Sequence, residues 1–245
     1  MSCPFTTIVI NLKSRPDRLE HFSREWSFLQ NVQVSPGIVH DLPHTGCGLA
    51  HIAAIRKGLK KSEWCLVLED DAVLNCSIAD FYEYIDIAQK MLPLWQAVNL
   101  GALSHLHFDR PELVTVLNEH FFQVSRTKSL RSCTAMLWSR KALPFIDQYE
   151  QVLLKGHIFP IDRMLFSWIY PWIVNIEGEG NESSSGMRFE APQVIVSREC
   201  LVTQRVNVLS NNTGLLSTDL RDDYLETLFQ AGLTGEKDSA TISDS

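Results

Sequence analysis

The residues of this sequence best suited to chemistry are Glu69, Asp70 and Asp71, three adjacent acids that follow directly on the apolar run Trp64-Cys65-Leu66-Val67-Leu68. A run of that length and bulk reads as a fully buried strand. Like charges held close together raise one another's pKa, so a buried strand that empties into three carboxylates calls for a compensating cation. Carboxylates with a few waters are the ligands that Mg²⁺ or Mn²⁺ prefers. In an open α/β sheet, ligands sit in the crevice at the carboxyl ends of the strands. The triplet is therefore expected to form a metal and substrate site at a strand end; the competing reading is a solvated acidic turn.

Two arginines, Arg15 and Arg18, lie just past another strand-like run, Thr6-Thr7-Ile8-Val9-Ile10. A planar guanidinium there can hold a phosphate or stack on a base. The alternative is a pair of helix-surface arginines matched with Asp17 and Glu20. His51 has a plain structural reading, a polar residue closing a helix turn. His105 and His107 would share one face at strand spacing, but no cysteine stands near them to complete a metal site.

The elements that must carry these residues alternate. The first strand ends at Asn11-Leu12, and a helix capped by Ser14, with Pro16 near its start, follows with an apolar stripe of Leu19, Phe22, Trp26 and Leu29. Val32 to Val34 reads as a short strand stopped by Pro36-Gly37. A loop through Pro43 and Gly46 opens a second helix whose apolar face is Leu49, Ile52, Ala53 and Ile55. After the acid triplet come a helix from about Ile78 to Leu92, capped by Ser77 or Asp80, and a strand from Trp95 to Leu100. Residues 102–120 show no clear period. Thr134 to Trp138 is a strand, Lys141 to Leu154 a helix, 163–174 a helix leading into a strand, and Gln193 to Val196 a short strand. Strands alternating with helices imply an α/β fold, a Rossmann-like, mostly parallel sheet covered on both faces. Residues 1–234 are expected to form a single domain and the polar stretch 235–245 a disordered tail.

Composition narrows the function. The 22 basic against 29 acidic residues leave a formal charge of −7, and no basic run is present, which argues against nucleic acid or an anionic membrane surface as the main partner. No stretch approaches the roughly 18 apolar residues of a membrane span, and Met1 to Phe5 shows no secretory signal pattern. The six cysteines make no C-x-x-C pair, and buried, reduced thiols are expected. The protein is expected to be cytoplasmic or to face the cytosol at a membrane periphery.

Three segments share an order with a known family: Asn11-Leu12-Lys13-Ser14-Arg15-Pro16-Asp17-Arg18, then Gly46-Cys47-Gly48-Leu49-Ala50-His51, then Leu66-Val67-Leu68-Glu69-Asp70-Asp71. Together they resemble glycosyltransferase family 25, the lipooligosaccharide sugar transferases with their collagen-galactosyltransferase and giant-virus relatives, whose motifs run N-L-x-x-R-x-D-R, G-C-x-L-S-H and E-D-D. Thr134 to Ala142 is similar to the family's strand-then-helix segment, and Pro160-Ile161-Asp162 to its proline-x-aspartate motif, so the resemblance spans about residues 5–215. Ala50 stands where the family usually has Ser, and Gln204 and Ser210 match its late Gln and Ser only loosely.

The resemblance implies an A-type glycosyltransferase fold, a nucleotide-sugar donor, expected to be a UDP-sugar, and inversion at the anomeric carbon. It implies a hexosyltransferase-like enzyme with a glycan, lipid-linked or protein-linked acceptor. Transfer from a nucleoside diphosphate needs a cation on the diphosphate, because charge develops on the leaving group. Asp71 is the expected Mn²⁺ or Mg²⁺ ligand, with Glu69 supporting that metal or its water. Asp70, Asn11, Arg15, Arg18 and, by its place in the motif, His51 are expected to bind the donor. Trp138 or Trp172 could stack on a sugar ring. An inverting transfer needs one general base; Asp162 is assigned that role, against a helix N-cap reading, with Glu177 and Glu179 next in order.

Two other functions compete. A sugar-nucleotide nucleotidyltransferase also sets acids on a metal in an α/β sheet, but it usually carries a glycine-rich phosphate loop after the first strand, and residues 11–18 contain no glycine. A catalytically inactive, transferase-like binding module would accommodate Ala50 and the loose late motifs.

Overall fold

The computed structural model describes residues 5–101, 114–124, 132–156, 160–166 and 193–205. Ten strands are described: β1 (Thr6–Asn11), β2 (Gln33–Pro36), β3 (Trp64–Glu69), β4 (Ala72–Leu74), β5 (Ala97–Asn99), β6 (Val114–Val116), β7 (Phe121–Val124), β8 (Ala135–Ser139), β9 (Val194–Ser197) and β10 (Val202–Gln204). The helices are α1 (Pro16–Glu25), α2 (Pro43–Leu59), α3 (Ile78–Lys90), α4 (Leu143–Leu154), entered through a 3₁₀ turn, and α5 (Ile161–Phe166).

Eight strands join in the order β2-β1-β3-β8-β5-β9-β7-β6, and β10 pairs with β4 in a small second sheet. The pairs β2–β1, β1–β3 and β5–β9 are parallel. β8 opposes both β3 and β5, and β7 opposes both β9 and β6, so six of the eight strands share one direction and β7 and β8 run against them. The fold is a mixed, mostly parallel sheet flanked by helices, as the alternating pattern predicts. The antiparallel insertion of β8 departs from a simple parallel reading: with one strand turned round, β3 and β5 need not be neighbours.

Alternation along the strands divides the core in two. Ile8, Cys65, Val67, Met136, Trp138, Val194 and Val196 face α2, α4 and α5. Val9, Leu66, Leu68, Leu137, Val98 and Ile195 face α1 and α3. Successive residues of a strand point to opposite faces, so a stretch buried on both sides must be apolar throughout, as Cys65 to Leu68 of β3 are.

Several local expectations change. Helix α1 has Arg15 at its N-cap position and no side-chain cap. Pro16 opens the helix at N1, and Ser14 stands one residue before the cap position. Helix α2 begins at Pro43, which puts Gly46-Cys47-Gly48 inside the helix and not in the loop before it. Both glycines are demanded by close neighbours: a Cβ at Gly46 would strike the Ile38 carbonyl, and one at Gly48 the Tyr149 hydroxyl. Ala53 is exposed and Ala54 buried instead. Ser77, not Asp80, caps α3, accepting from the Asp80 amide at 3.1 Å. Strands β4, β6 and β7 carry no legible sequence signal; each has three or four residues. Of the five described cysteines, all free thiols, only Cys65 and Cys133 are buried. Trp138 is buried against Phe145 and so is core, not a sugar platform. His105, His107, Trp172, Glu177, Glu179, the expected strand before 174 and the boundary at 234 lie outside the described residues.

Candidate active site

Strands β1 and β3 are parallel neighbours with Ile10 opposite Glu69, so Asn11 and Asp70 leave the sheet side by side at its carboxyl edge. Asn11 Nδ2 donates to Asp70 Oδ2 at 2.7 Å and to the Arg15 carbonyl at 2.9 Å. Arg18, in the first turn of α1, donates from Nη1 to Asp70 Oδ1 at 2.9 Å and stands 3.5 Å from Asp71 Oδ2. The Arg18 and Asp70 side chains are each only 8% exposed, so this is a buried ion pair. Burial raises the Asp70 pKa, and its bonds to Arg18 and Asn11 oppose that rise.

Glu69 turns the other way. Its Oε1 lies 3.1 Å from His51 Nε2, and its Oε2 accepts from Gln204 Nε2 at 3.2 Å and Thr134 Oγ1 at 3.4 Å. His51 is 1% exposed. Burial disfavours its charge, but the neighbouring Cys47 and Glu69 outweigh it and lift the imidazolium pKa to about 10. Burial pushes Glu69 up, and its contact with His51 more than offsets this, leaving it below its ordinary value. Contact between the two favours the charged form of each.

Asp71 has a different environment. Its backbone carbonyl accepts from the Arg205 amide at 2.8 Å, which anchors it to the end of β10. Its Oδ1 is buried and has no hydrogen-bond partner among the described residues. Burial first, and the charge of Glu69 second, raise its pKa to about 7. A buried, partnerless carboxylate oxygen is costly, and a divalent cation at that oxygen would remove both the orphan and the repulsion. Asp71 thus fits a hard-cation ligand, whereas both oxygens of Asp70 are taken by Asn11 and Arg18.

A cavity of about 220 Å³ opens over these groups. Arg18, His51, Glu69, Asp70, Asp71 and Gln204 form its polar end, and Ile10, Ile38, Val39 and Pro43 its apolar end. Of the sequence-derived donor residues, Arg18, His51 and Asp70 line it. Asn11 sits behind Asp70, and Arg15 pairs with Asp17 through Nη2 at 2.8 Å, the surface pairing that was the alternative for it; Arg18, by contrast, turns inward. Asp162 lies off the cavity wall, in the first turn of α5, where its Oδ2 accepts from the Ser132 amide at 3.2 Å. Ser132 Oγ is 2.7 Å from Thr134 Oγ1, which reaches Glu69, so a chain of hydrogen bonds joins Asp162 to the acid triplet. As the second residue of α5, Asp162 is not its N-cap. Sequence reasoning missed Cys47 and Thr134 as neighbours of Glu69. Cys47 had a signal in its i, i+4 spacing from His51; Thr134 had none beyond opening a strand.

No protein-family model matches the sequence, and no curated protein does. Solved structures with a similar fold include a glycosyltransferase involved in glycosylation of the major capsid of PBCV-1 (12% identity, TM-score 0.44, covering 91% of this chain and 100% of that one). A mannose-1-phosphate geranyltransferase from Thermus thermophilus matches at 10% identity and TM-score 0.41 over 81% of this chain and 58% of that one. The glycosyltransferase GlyE of Streptococcus pneumoniae matches at 8% identity and TM-score 0.41 over 95% and 64%. Every one of these TM-scores lies below 0.5, so the chemistry is read from the residues of the site alone. No helix among the described residues is long and apolar enough to cross a membrane.

Proposed function

We propose that this protein is a metal-dependent, inverting glycosyltransferase of the family 25 kind, moving a hexose from a UDP-sugar to a hydroxyl of a glycan, lipid-linked or protein-linked acceptor in a cytosol-facing setting. The observation that carries the reading is Asp71, a half-buried carboxylate with a buried, orphaned oxygen at the carboxyl end of the sheet, beside a cavity of about 220 Å³. Asp71 would hold Mn²⁺ or Mg²⁺, and the bound ion would neutralise the diphosphate as it leaves. Glu69 supports that charge, and Arg18 adds a fixed positive charge on the cavity wall. In the transfer the acceptor oxygen bonds to the anomeric carbon as the bond to the diphosphate breaks, and the hydroxyl proton passes to a general base, assigned to Asp162. The apolar wall at Ile38 and Val39 suits the flat face of a nucleobase.

The test is an assay with a panel of UDP-sugars and Mn²⁺, read as UDP release, on wild type and Asp71→Ala. Removal of Asp71 deletes a ligand and no core volume, so activity should vanish with the fold intact; a fully active variant would refute the mechanism. Pyrophosphate release from a nucleoside triphosphate and a sugar phosphate would instead identify a nucleotidyltransferase.

One observation favours a second reading. The Arg18 guanidinium already places positive charge 3.5 Å from Asp71, partly fulfilling a cation's role. A binding module without turnover would show UDP and Mn²⁺ binding by calorimetry with neither donor hydrolysis nor transfer.

A further inference from the structure

We propose that Cys47, His51 and Glu69 form a second metal site, built for a borderline-soft divalent cation of the zinc type, on the α2 side of the cavity. One ligand atom from each residue can be chosen so that all three lie within 4.8 Å of one another. Cys47 and His51 are spaced i, i+4 on α2 and so share a face of the helix. Glu69 meets that face from the end of β3, with its Oε1 3.1 Å from His51 Nε2. Ligand atoms around tetrahedral zinc lie roughly 3.5 Å apart, so closing on a metal requires a contraction on the order of 1 Å.

Two further features favour a metal over a fortuitous cluster. Glu69 Oε2 is oriented by Thr134 and Gln204, the kind of outer support that ligating carboxylates receive. All three residues line the cavity, so a fourth position would open onto it for water or an anionic oxygen, as in three-ligand zinc sites. Sulfur with imidazole selects zinc-like ions over Mg²⁺ or Mn²⁺. The site goes beyond the proposed function, whose hard cation rests on Asp71, outside this cluster; Glu69 is the one residue that the two share.

Chelator-treated protein titrated with Co²⁺ provides the test, because a thiolate bound to cobalt gives a charge-transfer absorption that carboxylates do not. The band should reach its full height at one equivalent in wild type and in Asp71→Asn, and be lost in Cys47→Ala. No band in wild type, or an undiminished band in Cys47→Ala, overturns the proposal. A second measurement needs no variant. Zn²⁺ should block alkylation of Cys47 by iodoacetamide, read by peptide mass mapping, while the half-exposed Cys76 and Cys200 continue to react; Cys47 alkylation unaffected by Zn²⁺ overturns the site. Sugar-transfer activity enters neither readout, so failure here and failure of the Asp71 mechanism are told apart.

Discussion

Asn11 at the end of β1 donates its side-chain amide to Asp70 Oδ2 at 2.7 Å, joining residues 59 positions apart. With Arg18 on the other oxygen, this contact binds the carboxyl ends of β1 and β3 and α1 into one unit. It also sorts the acid triplet by role: Asp70 faces the protein, Glu69 faces His51, and Asp71 presents its orphaned oxygen.

The Arg18–Asp70 pair can be broken from one side. Arg18→Met would leave the buried Asp70 carboxylate with Asn11 alone, and losing one partner of a buried pair costs about 3–5 kcal/mol. Urea denaturation should show that loss, and adding Asp70→Asn should recover part of it, because the unpaired charge is then gone. Equal stability of wild type and Arg18→Met would mean that the pair is solvated.

Asp71 should make stability fall with rising pH. Its pKa is raised to about 7 in the fold against about 3.9 in an unfolded chain. Between those values the native state binds the extra proton, so unfolding free energy drops as pH climbs through that window. Asp71→Asn should flatten that segment of a Tm-against-pH curve and leave the alkaline limb, where the raised His51 pKa of about 10 makes its contribution fade, in place. Mn²⁺ affinity of wild type should rise across the same interval, since the ion displaces the proton; calorimetry at pH 6 and pH 8 measures it.

Asp162→Asn separates catalysis from folding. The amide oxygen can still accept from the Ser132 amide, so thermal stability should hold, as should donor and metal affinity. Loss of a general base should lower turnover by a factor on the order of 10²–10⁴. Turnover within a few-fold of wild type would move the base to Glu177 or Glu179.

The β4–β10 register is open to a chemical check. Leu74 stands opposite Val202, and Asn75 donates its amide to the Leu201 carbonyl at 2.8 Å, so the next pair in the ladder is Cys76 with Cys200. It falls at a non-hydrogen-bonded position, where side chains approach closely. Mild oxidation with diamide should link these two thiols intramolecularly, detected as a cross-linked peptide and absent in Cys76→Ser. A different cysteine pairing would show a shifted register.

Much of the site was readable along the chain because its signals are local. An apolar run as short and bulky as Trp64 to Leu68 reads as a strand buried on both faces, and the three acids that follow mark its terminus. The inward faces of α1 and α3 follow from 3.6-residue periodicity, and Phe81, Tyr84, Ile85 and Ala88 are all buried as that spacing requires. Short strands escaped because three residues carry too little pattern: β4 and β6 are defined by their partners, not by their composition.

Which acid meets which partner depended on contacts between elements distant in sequence. The residue types of Glu69, Asp70 and Asp71, their place at a strand end and the need to balance their charge are properties of the sequence by itself. That Asp70 is spent on Asn11 and Arg18, that Glu69 meets His51, Thr134 and Gln204, and that Asp71 Oδ1 is left alone follow from the approach of α1, α2, β8 and β10 to the end of β3. Hydrogen bonding and burial act over a few ångströms in space and are blind to separation along the chain, so only the folded arrangement could assign them.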